Sequence, residues 1–185
     1  MGLSNTELSV IVFIVSFTSF FIKQAVQYAV AARYGKRAGD VIYVESDSPN
    51  AAAITFFNVV VVSGDLGGLS GFAMLHERYH LRQKLASVLQ ALAVSATASM
   101  IVVSPLALAA VYFTYVLTSW KIERDADKYA VENGAVYTPR YSRPANRLVR
   151  LIAWLLDTHP PDYIRAREDY TKKCVYSLFI EDVFT

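Results

Sequence analysis

The chain has 185 residues, of which 54% are hydrophobic and only 18% charged, against about 25% charged in an average soluble domain. A net charge of +2 argues against a nucleic-acid surface, and the single cysteine, Cys174, excludes an intrachain disulfide and a cysteine-built zinc site. The length suits one domain, so residues 1–185 are read as a single unit whose excess apolar residues fall in two blocks.

The first block opens the chain. Residues 8–22 carry no charge, and the apolar character continues past Lys23 to Ala32. The stretch 8–32 is long enough to span a bilayer, with Lys23 reaching toward one interface. A signal peptide is the competing reading. It would carry a basic residue before the apolar run and a small-residue cleavage site after it. Here Met1 to Glu7 hold no basic residue, while Arg33, Lys36 and Arg37 come afterwards, so a retained transmembrane helix is expected.

Residues 40–65 have the composition of a small β-sheet. Val41 to Val44 form a β-branched and aromatic run, and Ser46 to Asn50 are a turn cluster. Ala51 to Phe56 and Val59 to Val62 are expected as two further strands, with Phe57 and Asn58 in the turn between them. Such a sheet could simply support the next helix, or its edge strand could pair with an extended substrate backbone. Ser63 to Gly71 form a glycine-rich loop without a phosphate-binding pattern, read as a linker.

A helix is expected over 69–84, and it carries H-E-x-x-H as His76, Glu77 and His80. Residues four apart lie on one helix face, so both imidazoles can bind one zinc ion per chain. Glu77 sits to the side, where it can take a proton from a water attacking a carbonyl without being a ligand. The plain alternative is two solvated histidines on a polar helix face.

The second apolar block, 85–120, has no charged residue between Lys84 and Lys121. Ser104 and Pro105 divide it into 85–103 and 106–120, which predicts a transmembrane hairpin with its tip at the proline. One kinked helix or a buried soluble hairpin would fit the same pattern. All lysines and arginines except Lys23 lie between Arg33 and Lys84 or between Lys121 and Lys173. The positive-inside rule then puts both polar blocks in the cytoplasm, with three crossings of the cell membrane.

A catalytic zinc needs three protein ligands and an open position. Glu123 is the candidate for the third, and Asp127, one turn on, could accept the second ring N–H of a ligand histidine. By charge alone this stretch would be a solvated helix start. Geometry couples it to the first motif: two crossings between His80 and Glu123 return the chain to the same side, whereas one would separate them.

Taken together, these motifs resemble the membrane zinc metallopeptidases typified by HtpX and by the zinc-dependent CAAX prenyl protease, in the gluzincin clan. The resemblance covers about residues 40–170. His76-Glu77-x-x-His80 and Glu123-Arg-Asp-Ala-Asp127 match the family's zinc motif and its E-x-x-A-D motif. Ser48 to Ala51 resemble the Asn-Ala segment ahead of the metal helix, which implies substrate binding at Asn50 and Ala51. Thr158-His-Pro-Pro161, with Arg165 four residues on, matches a T-H-P-P…R signature. The resemblance implies that His159 steadies the tetrahedral oxyanion and that Arg165 braces the site. Leu81 and the Arg-Gln-Lys that follow, together with Arg78 and Tyr79, depart from the usual pattern without removing a ligand.

Residues 121–185 are expected to be a helical region completing the site. Within it, Ala145 to Leu156 have apolar residues at helical spacing and read as a core helix or a membrane-surface helix. Cys174, among Tyr, Val and Leu, is expected to be packed. The expected protein is therefore an α+β membrane protein: a gluzincin-like core of a small sheet and an H-E-x-x-H helix, with about three transmembrane helices. It would be a zinc endopeptidase acting on membrane or misfolded proteins, with the lipid bilayer and peptide substrates as its partners. A non-catalytic membrane protein with a structural zinc, a CAAX-type processing protease and a soluble minimal gluzincin are the alternatives. Three spans are too few for the large intramembrane chamber of the CAAX branch.

Overall fold

Ser4 starts the first helix by a capping box: its hydroxyl accepts the Glu7 N–H, and the Glu7 carboxylate accepts the Ser4 N–H at 2.8 Å. A computed structural model describes residues 2–64 and 69–185. Helix α1 runs over Asn5–Tyr34, about 45 Å at 1.5 Å per residue. It ends at Gly35, where a Cβ would lie 2.5 Å from the Ile42 side chain and 2.8 Å from the Tyr43 carbonyl. Only glycine lets the sheet pass so close beneath the helix end.

The sheet comprises β1 (Lys36–Ala38), β2 (Val41–Val44), β3 (Asn50–Ile54) and β4 (Val59–Ser63), in the order β1-β2-β4-β3. The pairs β1/β2 and β3/β4 are antiparallel, and β2/β4 is parallel. β3 is therefore an edge. Strand alternation sorts the sheet's side chains onto two faces. Ile42, Ile54 and Val59 meet Tyr28 and Ala31 of α1 on one side, while Val41, Val60 and Val62 meet Leu69, Met74 and Leu81 on the other.

Two sequence expectations change here. The strand expected to run to Phe56 stops at Ile54, and Thr55–Phe57 form a turn of 3-10 helix closed by Asn58 at φ 55°. Docking on α1 is the cause. The Phe56 ring meets Phe20 and Phe21, its N–H donates to Gln24, and Phe57 stacks on Tyr28 at 4.4 Å. β1 was not expected; its exposed Lys-Arg-Ala sequence has no apolar pattern, and it pairs because a tight turn folds it onto β2. Part of the glycine-rich linker, residues 65–68, lies outside the described residues.

Ser70 caps helix α2, Gly71–His80, which is shorter than the expected 69–84. The chain turns at 81–83 because Leu81 inserts under the sheet, and a new helix, α3 (Lys84–Ser99), continues as a 3-10 turn to Val102. After Ser104 and Pro105, helix α4 runs unbroken over Ala107–Glu132. The expected boundary at residue 120 is thus a change of surroundings within one helix. α3 packs between α1 and α4, with Ser95 bonded to Ser16 and Gln90 bonded to Thr118 and Ser119. Among the described residues, two helices, Asn5–Tyr34 and Lys84–Val102, are long and apolar enough to cross a membrane.

The C-terminal helices are α5 (Arg147–Leu155), α6 (Asp162–Arg165) and α7 (Val175–Phe184). They close over Trp120 of α4, with Trp154, Ile164, Tyr170 and Leu178 in the core. Trp154 of α5 is buried there, while Leu148, Ile152 and Leu156 face outward. Cys174, expected to be packed, is exposed. It lies just ahead of the i, i+3 stripe Val175–Leu178 that faces the core, so the helix period leaves it outside.

Asp182 ties this region together. Its carboxylate is fully buried and accepts from Arg143 at 2.7 Å, Trp154 at 3.0 Å and Tyr163 at 2.8 Å. Asp182→Ala is expected to cost about 3–5 kcal/mol, because it leaves the buried Trp154 and Tyr163 donors unpaired and removes the carboxylate beside the buried Arg150. Chemical denaturation would measure it, and a cost below about 1 kcal/mol would show the network to be dispensable.

Candidate metal centre

Helices α2 and α4 meet with their polar faces together. His76 and His80 project from α2 toward Glu123 of α4. His76 Nε2 lies 3.1 Å from His80 Nε2 and 3.0 Å from Glu123 Oε2, and His80 Nε2 lies 3.4 Å from that same oxygen. A tetrahedral zinc with nitrogen and oxygen ligands at about 2.0–2.1 Å has ligand–ligand edges of about 3.3 Å. The three donor atoms therefore already form one face of such a tetrahedron, and the donor set fits the ion.

The other ring nitrogens fix the orientation. His76 Nδ1 donates to Asp127 Oδ1 at 2.7 Å. His80 Nδ1 donates to Gln83 Oε1 at 2.6 Å, while the Gln83 amide nitrogen donates to the Ile122 carbonyl at 3.0 Å. With Nδ1 so engaged on both rings, both Nε2 atoms face Glu123. Asp127 is held in turn by Arg165, at 2.7 and 2.6 Å, and by the Tyr170 hydroxyl at 2.9 Å. The Arg165 guanidinium also lies over the Tyr137 ring at 4.3 Å. It thus braces Asp127 and lies one residue removed from the donor atoms.

His159 reaches the same centre from the loop before α6, with Nε2 2.9 Å from Glu123 Oε2. Asp157 steadies it by accepting the His159 backbone N–H at 3.0 Å. Glu77 points across to the sheet, where its Oε2 accepts the Ala53 N–H at 2.8 Å. Asn50 and Ala51, Glu77, His76 and His159 all line one cleft of about 640 Å³, whose far wall includes Tyr137 and Tyr141.

Burial and charge set the proton affinities. Burial raises the Glu77 carboxyl, partly opposed by His76 and His80. Burial also acts to raise Glu123, but hydrogen bonds from His159, His76 and His80 outweigh it and hold that carboxylate well below its usual range. Burial disfavours the charged form of His76, yet its bonds to Asp127 and Glu123 lift it to about 9 in the metal-free chain. His159 is lifted to about 10, burial again being overcome by Asp157 and Glu123.

A ligand imidazole must shed its proton to bind metal. Zinc uptake at pH 7 is therefore expected to release protons, with affinity rising as pH approaches 9. Titration calorimetry in two buffers of different ionisation enthalpy tests this; no net release at pH 7 would contradict it. The sign for stability is opposite. Raised imidazole values stabilise the metal-free fold fully below 6.5, and this contribution is lost as pH rises through about 9 to 10. The melting temperature of the chelated protein is expected to fall over that window.

Every site residue expected from the sequence thus lies at or beside this centre. Gln83, Tyr137 and Tyr170 were not foreseen. Gln83 stands three residues after His80, about one turn on, a spacing at which the two side chains can meet. Gln83→Ala is expected to weaken zinc binding about tenfold by freeing the His80 ring. Competition with a chromophoric chelator would read this, and unchanged affinity would remove Gln83 from the site.

Comparison of the chain with protein-family models, with curated proteins and with solved structures finds no match.

Proposed function

We propose that this chain is an integral membrane zinc endopeptidase of the HtpX-like group within the gluzincin clan. The observation that carries it is the convergence of His76, His80 and Glu123 at 3.0–3.4 Å from two helices separated by an apolar hairpin, with Glu77 beside them in an open cleft. A zinc ion held by these three residues would lower the pKa of a water to about 7 and polarise the scissile carbonyl.

The chain's own groups do the rest. Glu77 takes the proton of the attacking water and passes it to the leaving nitrogen. Its raised proton affinity suits both transfers. His159, which reaches Glu123 in the metal-free chain, donates to the developing oxyanion. Asp127 and Gln83 hold the ligand rings, and Arg165 holds Asp127. The substrate backbone lies along the edge strand β3, beginning at Asn50 and Ala51.

The apolar half of α4 supplies a third crossing beside α1 and α3, and the site faces the cytoplasm on the positive-inside rule. Substrates are membrane proteins or unfolded chains. Retention in the membrane pellet through a carbonate wash is the expected behaviour; release would end the transmembrane assignment.

The deciding experiment is cleavage of an unfolded test protein by the detergent-purified chain before chelation, after chelation and after zinc is restored. Activity that disappears and returns with about one zinc per chain is expected. Stoichiometric zinc binding without cleavage would make the centre a non-catalytic one.

A further inference from the structure

β3 is the common wall of two cavities. The metal cleft meets it at Asn50 and Ala51, on the side of α2. On the side of α1 lies a second cavity of about 740 Å³, walled by Val26, Val30, Val44, Ala52, Ile54 and Val61. It exists because α1 covers the sheet only in part. Tyr28 and Ala31 close over Ile42, Ile54 and Val59, while Ala52 on the edge strand and Val30 on the helix stay exposed.

The edge strand connects the two. The Ala53 N–H donates to Glu77, so the backbone groups of Ala51 and Ala53 point away from β4. A peptide added to that edge must alternate its side chains between the two faces of the sheet. One set faces α2 and the metal; the other set lies along the α1 cavity. Gln27, Glu45 and Ser63 also line this cavity, polar groups that suit a peptide better than an acyl chain.

We propose that the cavity between α1 and the sheet binds apolar side chains at alternate positions of the peptide that pairs with β3. The proposal deepens the peptidase reading and rests on its peptide-binding part. It predicts selection for a sequence pattern on the face opposite the metal. Substrates would carry an apolar residue at every second position through the bound segment.

Two alternating peptides test it, one of valine and serine, the other of asparagine and serine. Binding is read by fluorescence anisotropy on the zinc-loaded full chain carrying Glu77→Gln. The valine peptide is expected to bind about tenfold tighter, the worth of apolar groups entering an apolar site. Ala52→Arg and Val30→Glu, on opposite walls of the cavity, are each expected to cut that preference to under about twofold. Retained zinc stoichiometry certifies the fold of each variant, and either one alone suffices. Equal affinities, no binding of either peptide, or a preference that survives both variants would overturn the proposal. The wild-type cleavage assay keeps the two readings apart. Cleavage without the alternating preference removes the cavity's role and leaves the peptidase. A preference sensitive to Ala52→Arg in a chain that cuts nothing leaves a peptide-binding cavity and removes the peptidase.

Discussion

Glu77→Gln is expected to lower kcat/KM for peptide cleavage by at least about 10²–10⁴-fold while leaving zinc content unchanged. The amide cannot take a proton, so the proposed base is lost. Its carbonyl oxygen can still accept the Ala53 N–H that the carboxylate holds at 2.8 Å, so the contact between α2 and β3 survives. None of the three donor atoms of the metal face belongs to Glu77. The measurement is single-turnover cleavage alongside zinc stoichiometry. Wild-type rates in the variant would remove Glu77 as the base, and loss of zinc would give it a structural part in the site.

Asp127→Ala is expected to be the most damaging change to the fold of the site. Asp127 is 1% exposed and accepts from His76, Arg165 and Tyr170, with Arg165 contributing two bonds. Those bonds outweigh burial and hold its carboxyl below the ordinary range, so it stays ionised. Removing it leaves the guanidinium, itself only 12% exposed, without a counter-charge. A broken buried pair of this kind costs about 3–5 kcal/mol. Freeing His76 Nδ1 is expected to weaken zinc binding a further 10- to 100-fold. Denaturation with and without chelator separates the two effects. The double variant Asp127→Ala with Arg165→Leu is expected to recover part of the stability, since no buried charge is then stranded. Additive losses would show that the pair is not coupled.

The exposed edge of the sheet gives both variants a functional context. Glu77 bridges the metal helix to β3, and β3 divides the cleft from the apolar cavity. A peptide on that edge would touch the base, the metal face and the α1 cavity through one set of backbone bonds. Along β3, Asn50 and Ala52 are exposed and Ala51 and Ala53 half-buried, and the outward N–H groups of Ala51 and Ala53 are held by the Asn50 and Glu77 side chains until a peptide takes their place.

Much of the site was legible because its spacings are local. His76 and His80 share a helix face whatever the rest of the chain does, and Asp127 follows Glu123 by one turn of α4 for the same reason. The hairpin was legible from hydropathy and Pro105, and it accounts for how α4 brings Glu123 back to α2. The turn at Phe56 was not, since a β-branched and aromatic run favours a strand until Phe20, Phe21 and Gln24 of α1 claim it. Gln83 and Tyr170 carry no signature of their own. Each matters through one hydrogen bond to a residue distant in the fold or beyond a helix break. The sequence by itself determined which residues could bind a metal and which segments are apolar, because composition and helical period are properties of short stretches. Only the tertiary structure decided that three donor atoms lie 3.0–3.4 Å apart, that Arg165 serves Asp127, and that β3 is an edge. Those are relations between distant segments, set by how α1, the sheet and α4 pack.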